Sequence, residues 1–215
     1  MELRTEYVRS KVTGGHHAFI SERAQKPFTN KMTEAMTIEL RESDVVADIG
    51  AYVGEYGLYA IRNGASRVKC YEPTPSTYEI LAKNATDGIE TYNAAVVGDD
   101  SETVTLHMAN GIGVTNSIAK SQRKIDAITV PAIKYDDAVA DASVVKIDVE
   151  GAEYSYDIFK EHVRAFIIEF HPMKGIDWKD RAMEIMNQLE SNGYRPTCKP
   201  SFSHGWDLHG AWVKE

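Results

Sequence analysis

VVADIGAYVGEYG, residues 45–57, is the stretch that decides the fold of this chain. Its first five residues form an apolar run typical of a strand buried on both faces. Gly50 and Gly54 follow in a loop, and a helix is expected to begin near Tyr56. Glycine lets the backbone turn sharply and approach a ligand, and the first N–H groups of a helix bind anions. The stretch therefore predicts a strand–loop–helix corner that binds a nucleotide-like ligand.

The glycine spacing separates this loop from a dinucleotide-binding loop, whose pattern is G-x-G-x-x-G. Here the glycines stand at 50, 54 and 57, Ala51-Tyr52-Val53 fill the first gap, and Asp48 precedes the first glycine. A bulky loop with an acid suits an amino-acid moiety better than a pyrophosphate. The pattern therefore disfavours a Rossmann oxidoreductase.

S-adenosyl-L-methionine (SAM) carries the chemical groups that such a corner accommodates. Its methionine carboxylate suits the helix N-terminus, and Asp48 can bind the methionine ammonium directly or through water. The next strand-like run ends in Glu72, 22 residues after Gly50. An acid at that place can accept hydrogen bonds from both ribose hydroxyls. The two segments together predict a SAM site.

Composition places the chain among ordinary globular proteins. It has 215 residues, 43% of them hydrophobic, and a formal net charge of −8, which gives no general attraction to phosphate backbones. No apolar run approaches the roughly 20 residues that span a bilayer, and the N-terminus lacks the apolar core of a signal peptide. We therefore expect a cytoplasmic protein without a membrane partner and disfavour nucleic acid as a partner; the sequence leaves the oligomeric state open.

Strand-like and helix-like segments alternate, which predicts an α/β fold with a mostly parallel sheet and helices on both faces. The strands expected in this sheet are 45–49, 67–71, 89–97, 143–149 and 165–170, with the last strands in the tail. TVTLHM (103–108) and AITVPAI (127–133) predict an antiparallel pair in a small β insertion. Helices are expected over about 30–41, after Thr74-Pro75, after Gly151 and after Asp177.

The chain is expected to form one domain over residues 1–215. Its parts are a helical N-terminal cap region at 1–42, a cofactor-binding core at 43–172, and a C-terminal helix and strands at 173–215.

A second group of polar residues follows the strand VVKIDV. Asp148 stands at its carboxyl end, the edge where open α/β sheets bind ligands. Glu150 and Glu153 come next, where they can also simply complement a helix N-terminus. Lys146 shares the face of Asp148 and is expected to pair with it. The next strand, AFIIEFHP (165–172), carries Glu169 and His171 on one side if it continues that far.

With these motifs in this order, the chain resembles the FkbM family of SAM-dependent methyltransferases over about residues 44–172. The shared motifs are D-x-G-A-x-x-G at 48–54, Tyr71-Glu72-Pro73, Asn93-Ala94-Ala95-Val96, Asn116-Ser117, Val130 with Tyr135-Asp136-Asp137, and K-I-D-V-E-G-A-E at 146–153. The last motif is the most specific, because generic methyltransferases lack it. The family often has Leu where Tyr135 stands, a difference that affects packing more than chemistry.

The resemblance implies a Rossmann-like class I methyltransferase fold with a seven-stranded sheet in the order 3-2-1-4-5-7-6. The implied cofactor-binding residues are Asp48, Gly50, Ala51, Tyr52, Gly54, Glu72, Pro73, Asn93, Ala94, Ala95 and Asp148, with residues 93–95 near the adenine. Family members mostly methylate hydroxyl groups of sugars or polyketide-like metabolites. The expected acceptor is therefore a hydroxyl of a small molecule or sugar.

An alcohol is a poor nucleophile at neutral pH, so O-methylation calls for a base or a metal unless alignment alone suffices. The catalytic candidates are Asp148, Glu150, Glu169 and His171. His171 is the best base by its ordinary pKa. The three carboxylates could instead hold Mg²⁺, a cation that favours oxygen ligands.

Two other functions stay open at this stage. An RNA 2′-O-methyltransferase uses a Lys-Asp-Lys-Glu set, which Asp148, Glu169 and nearby lysines could imitate, but the chain is acidic. A catalytically silent SAM-binding or interaction module is the other, and the intact acids at both strand ends argue against it.

Overall fold

The computed structural model describes residues 7–9, 16–18, 37–107, 127–197, 200–203 and 207–215. Thirteen strands and four α-helices lie in these ranges. The strands are β1 Tyr7–Arg9, β2 His16–Ala18, β3 Val45–Ile49, β4 Arg67–Tyr71, β5 Ile89–Tyr92, β6 Ala95–Val97, β7 Thr103–His107, β8 Ala127–Lys134, β9 Val144–Ile147, β10 Ala165–Phe170, β11 Arg195–Pro196, β12 Ser201–Ser203 and β13 Asp207–Val213. The helices are α1 Glu55–Arg62, α2 Pro75–Asn84, α3 Tyr135–Val139 and α4 Trp178–Ser191, and Ala152–Ser155 form a short 3₁₀ helix.

Eight strands form the main sheet, in the spatial order β11-β13-β10-β9-β3-β4-β5, with β12 also paired to β13. The pairs from β5 to β10 are parallel, whereas β13 runs antiparallel to β10, β11 and β12. The predicted α/β class is therefore correct, but the sheet is mixed.

The predicted seven-strand order is wrong in its last part. When the eight strands of this sheet are numbered in chain order, their spatial order is 3-2-1-4-5-8-6. The seventh strand, β12, pairs with the eighth, β13, on the edge that also carries the sixth, β11. Two short strands, β11 and β12, take the place expected for one. Their lengths of two and three residues match only parts of the seven-residue β13.

The core lies on both faces of the main sheet, because side chains alternate along each strand. Ala47 and Ile49 pack in one buried cluster together with residues of α4, whereas Val46 packs in another with Tyr56 of α1. Helices thus cover both faces, as the nearly continuous apolar strands predict.

Residues 89–97 are two strands and not the one that was predicted. β5 belongs to the main sheet, whereas β6 pairs in parallel with β8 in a small sheet that also contains β7. The amide of Asn93 donates hydrogen bonds to the carbonyls of Glu72 and Pro73, which holds the chain where it leaves the main sheet. The antiparallel pairing of β7 with β8 confirms the predicted insertion.

Two helix predictions also differ from the structure. Residues 38–41 of the predicted helix over 30–41 are not helical, and residues 30–36 lie outside the described ranges. The carbonyl of Glu39 accepts a hydrogen bond from Arg164 instead of from a helical N–H.

Within the expected helical cap region, β1 and β2 form an antiparallel pair, consistent with the strand preference of Tyr and Val. After Gly151 the chain forms a 3₁₀ helix because Glu150 and Gly151 adopt positive φ angles of 54° and 105°.

The helix after Asp177 is confirmed: Asp177 caps α4 by accepting a hydrogen bond from the backbone N–H of Asp180. Among the described residues, no helix is long and apolar enough to cross a membrane.

Candidate active site

The parallel strands β3, β4, β9 and β10 end at one edge of the main sheet, here called the carboxyl edge. The loop after β3 is fixed there by backbone hydrogen bonds. The N–H groups of Gly50 and Ala51 both donate to the carbonyl of Tyr71 at 3.0 Å, and Asp148 N–H donates to the carbonyl of Ile49 at 3.0 Å. The loop is therefore held between the ends of β4 and β9.

Gly50 allows the loop and the end of β9 to touch. Its φ is 81°, and a Cβ atom at this position would lie 1.8 Å from the carbonyl oxygen of Asp148. No side chain fits in that space. The segment predicted to hold the cofactor thus lies directly against the residue predicted to act in catalysis.

Glu72 links the end of β4 to the glycine loop. Its two carboxylate oxygens accept hydrogen bonds from the N–H groups of Tyr52 at 3.2 Å and Thr74 at 2.8 Å. The side chain is buried, and this burial raises its pKa to about 7, although the bonds from Thr74 and Tyr52 oppose the rise. The Thr74 side chain also hydrogen-bonds this carboxylate. An ionised carboxylate has about four acceptor positions, so about one remains for a ligand.

The segment predicted to lie near the adenine adjoins Glu72. The Asn93 amide donates to the Glu72 carbonyl at 2.9 Å and to the Pro73 carbonyl at 3.2 Å. Ala94 and Ala95 follow and are buried. The structure thus brings together the predicted cofactor-binding residues that follow β4 and those that follow β5.

Asp48 lies beneath the loop with its side chain fully buried. Its Oδ1 is 3.2 Å from Lys146 Nζ, which also lies 3.6 Å from Asp148 Oδ2. Although burial opposes the charged form, Asp48 and Asp148 raise the pKa of Lys146 above its ordinary value. The predicted ion pair of Lys146 and Asp148 is present, and the contact of Asp48 with a methionine ammonium stays a prediction.

His171 lies at the centre of the four predicted catalytic residues. Its Nε2 is 3.6 Å from Asp148 Oδ1, 3.8 Å from Glu150 Oε2 and 3.5 Å from Glu169 Oε1. The ring is buried, whereas the side chains of Asp148 and Glu150 are 34% and 27% exposed. The carboxylates of Asp148 and Glu150 are therefore partly exposed to solvent, whereas His171 contacts them from the buried side.

The charge state of His171 differs from what its ordinary pKa suggests. Burial favours the neutral ring, but Glu153 and Glu169 outweigh burial and raise the pKa of His171 well above its ordinary value. These carboxylates therefore favour the protonated ring over the neutral one. A protonated imidazole orients the surrounding carboxylates and cannot take up another proton.

Glu153 is a positioning residue that the sequence did not reveal. It is fully buried and accepts hydrogen bonds from the N–H groups of Gly151 at 2.8 Å and His171 at 2.7 Å, and its Oε1 lies 3.4 Å from His171 Nδ1. From the sequence alone, it could equally complement a helix N-terminus. Its only distinguishing signal was its place in the K-I-D-V-E-G-A-E motif.

Asp207 and His209 of β13 also lie at the carboxyl edge and were missed from the sequence. In the part of the chain that the structure describes, carboxylates and imidazoles form two groups. They are the β9 cluster (Asp148, Glu150 and His171) and the β13 cluster (Glu169, Asp207 and His209). Within each cluster, the possible ligand atoms lie within 4.8 Å of one another. Glu169 is thus grouped with β13 and not with the two carboxylates predicted to share Mg²⁺ with it. The only sequence signal was the alternation in Asp207-Leu208-His209.

A cavity of about 540 Å³ lies between the small sheet and the 3₁₀ helix. It is lined by Gly151, which follows Glu150, and by Met173, two residues after His171. Val97, Val104 and Tyr154 contribute apolar or aromatic surface, while Asp99, Ser101 and Ser155 contribute polar groups. Such a mixture is typical of sites for small organic molecules.

Comparison with solved structures identifies the fold. A Clostridium thermocellum protein described as a candidate rRNA methylase matches with a TM-score of 0.51 at 11% identity, covering 88% of this chain and 97% of that chain. TrmK of M. capricolum, in complex with the cofactor product S-adenosyl-homocysteine, matches with a TM-score of 0.50 at 12% identity, covering 87% and 69%. The fold is that of the class I methyltransferases.

The family follows from the sequence itself. The model of the methyltransferase FkbM domain matches residues 48–196, which is more than half of the chain. The chain therefore belongs to the FkbM methyltransferase family, and the predicted resemblance is confirmed. No curated protein matches the chain closely enough to count as a relative.

Proposed function

We propose that this protein is a SAM-dependent methyltransferase that methylates a hydroxyl group of a small molecule or sugar. The observation that carries the proposal is the contact between the glycine loop and the end of β9. Gly50 leaves no room for a side chain against the Asp148 carbonyl, so a cofactor held by the loop would lie next to the Asp148 and Glu150 carboxylates. Family membership supports methyl transfer as the reaction.

The residues at the loop fit SAM. Glu72 keeps about one acceptor position, which a ribose hydroxyl can occupy. The first turn of α1 offers backbone N–H groups for a carboxylate. When bound, SAM supplies a methyl group on a positively charged sulfur, which is already a good leaving group.

The chain's own residues then have to align the acceptor and receive its proton. SAM held by the glycine loop and Glu72 would supply the methyl group to the acceptor oxygen, and its sulfur would keep the electron pair of the carbon–sulfur bond. The hydroxyl proton passes to the carboxylate of Asp148. His171, whose backbone N–H donates to Glu153, contacts Asp148 and Glu150 from the buried side and keeps them in place.

The cavity beside Gly151 supports a small acceptor. Its volume of about 540 Å³ lies within the range of small-molecule sites, and its lining is mostly apolar with a few polar groups. Lys146, the lysine nearest to Asp148 in the β9 strand, is buried and paired with Asp48. Among the described residues, Lys146 is the one lysine that pairs with Asp148, whereas the Lys-Asp-Lys-Glu set of RNA 2′-O-methyltransferases contains two lysines.

An acceptor screen with methyl-labelled SAM, followed by the Asp148→Asn variant, tests the proposal. We expect transfer to a hydroxyl compound, SAM binding by Asp148→Asn within a few-fold of wild type, and a turnover about 10²- to 10⁴-fold lower, as for loss of a general base. Asp137→Asn, at an exposed position in α3, is the matched control and should retain activity. Unchanged turnover in Asp148→Asn would remove this residue from the chemistry. Labelling of RNA alone, or binding of NAD without SAM in calorimetry, would contradict the proposed function.

A further inference from the structure

We propose that the β13 cluster, formed by Glu169, Asp207 and His209, is a binding site for a divalent cation of the Zn²⁺ or Mn²⁺ type. The three side chains offer two carboxylates and one imidazole, with ligand atoms within 4.8 Å of one another. His209 Nε2 and Glu169 Oε1 are 3.3 Å apart. Two ligands at about 2.1 Å from a tetrahedral metal are about 3.4 Å apart, so this pair needs little movement to bind.

The backbone explains why these three residues meet. Asp207 and His209 are two residues apart on β13 and therefore point to the same face of the sheet. His209 is the register partner of Glu169 on β10, so these two side chains are direct neighbours. β13 is hydrogen-bonded to β10 on one side and to β12 on the other. Ligands on paired strands are held more precisely than ligands on loops.

The state of His209 is a second and independent indication of a ligand. Its side chain is 4% exposed, and within the described part of the chain Nε2 makes no hydrogen bond, although it faces Glu169. A buried polar nitrogen without a hydrogen bond has a cost in stability, because it has lost its bond to water. A metal ion would take the lone pair of this nitrogen and remove that cost.

The ligand types select the cation. Imidazole suits Zn²⁺ and other transition metals, whereas Mg²⁺ and Ca²⁺ prefer oxygen ligands alone. The more exposed carboxylates of the β9 cluster remain for the methyl acceptor. Glu169 Oε1 lies 3.5 Å from Nε2 of His171 in the β9 cluster. A metal bound by the β13 cluster would therefore hold Glu169 in position beside His171. The inference does not depend on which compound is methylated.

Metal binding can be measured on the full-length chain without any methyl acceptor. The protein is stripped with EDTA, desalted and titrated with Co²⁺, whose visible absorption reports its ligands, and with Zn²⁺ in competition. We expect one Co²⁺ per chain, displaced by Zn²⁺, and much weaker binding of Mg²⁺. Asp207→Asn and His209→Gln should weaken binding by at least the 10- to 100-fold that loss of a metal's supporting partner costs.

Two matched controls locate the site. Asp148→Asn changes a carboxylate of the neighbouring β9 cluster, and His162→Gln changes a histidine that bonds to the Val139 carbonyl elsewhere. Both should bind Co²⁺ within about three-fold of wild type, an estimate that reflects intact ligands. Circular dichroism of each variant shows that it is folded, and Asp207→Asn serves if His209→Gln is not. Loss of binding in Asp148→Asn, equal affinity in Asp207→Asn and wild type, or no Co²⁺ binding by wild type would each overturn the inference.

Discussion

Gly50 shows how a single residue decides both packing and cofactor geometry. Its positive φ and its contact with the Asp148 carbonyl exclude any side chain. We expect Gly50→Ala to destabilise the protein by more than the roughly 1–3 kcal/mol that an unfavourable φ costs, because a clash adds to it. SAM binding should weaken in parallel. Urea unfolding and calorimetry measure the two effects.

Gly175→Ala is the matched control for Gly50→Ala. Gly175 has a φ of 89°, but a Cβ there would meet no atom within 4 Å. The difference between the two variants therefore isolates the clash with Asp148 from the strain of the backbone. Equal destabilisation would show that the loop does not press on the end of β9.

Glu72 should make SAM binding depend on pH. Its pKa of about 7 lies above the ordinary 4.5. The groups that face it are the Tyr52 and Thr74 N–H groups, the Thr74 side chain, the Tyr52 hydroxyl and the Asp48 carboxylate. The ionised form accepts more hydrogen bonds from ribose hydroxyls than the protonated form. The affinity for SAM should therefore rise between pH 6 and pH 8 in calorimetry, and Glu72→Gln should abolish this dependence.

The same raised pKa has a consequence for stability. A folded-state pKa above the unfolded one contributes stability that is complete below about pH 4.5 and is lost as the pH rises through about 7. Relative to wild type without SAM, Glu72→Gln should therefore gain about 1–3 kcal/mol on going from pH 5 to pH 8. Glu79→Gln, at an exposed position of α2, should show no such gain. A gain that does not change with pH would contradict the assigned pKa.

At the scale of elements, the 3₁₀ helix and the small sheet together shape the acceptor cavity. Met173 lines this cavity and is only partly buried. We expect the Trp side chain of Met173→Trp to fill part of this volume. KM for the acceptor should then rise about ten-fold or more, roughly the effect of one or two methylene contacts, whereas the Kd of SAM should stay unchanged. Steady-state kinetics and calorimetry separate the two constants.

Met183→Trp, on the exposed side of α4, introduces the same side chain away from the cavity. It should leave KM for the acceptor unchanged. If Met173→Trp weakens SAM binding instead, the cavity belongs to the cofactor and the proposed acceptor site is wrong.

For the molecule as a whole, the edge opposite the active site holds the central strands together. Asp44 is buried before β3 and accepts hydrogen bonds from Ser143 Oγ and Arg164 Nε, both at 2.8 Å, which precede β9 and β10. Asp44→Asn leaves the Arg164 charge without its partner. We expect a loss of about 3 kcal/mol, the low end for a broken buried pair, with unchanged SAM affinity. Denaturant unfolding measures this loss.

The pH dependence of this pair has the opposite sign to that of Glu72. Although burial opposes it, the bonds from Arg164 and Ser143 lower the pKa of Asp44 below its ordinary 3.8. The contribution of Asp44 to the free energy of unfolding is therefore complete above about pH 3.8 and is lost as the pH falls through the lowered pKa. Asp157→Asn, which affects an exposed pair with Lys160, should cost no more than about 1 kcal/mol. An equal cost for both variants would mean that the buried pair adds nothing.

The sequence by itself determined what depends on neighbouring residues along the chain. Buried strands show as apolar runs, the glycine loop shows as a spacing, and Glu72, Asp148, Glu169 and His171 show as polar residues where strands end. Because parallel strands end at one edge, local patterns were enough to predict that these residues meet.

Only the tertiary structure decided what depends on pairing between distant segments. The register of β10 with β13 brings His209 to Glu169, 40 positions away, and no local pattern encodes that register. The division of residues 89–97 between two sheets and the place of β11 and β12 beside β13 likewise depend on strand pairing. The raised pKa of His171 depends on Glu169 of its own strand and on Glu150 and Glu153, which the pairing of β9 with β10 brings to the imidazole. Its ordinary pKa holds only in water, and folding replaces that water with charges.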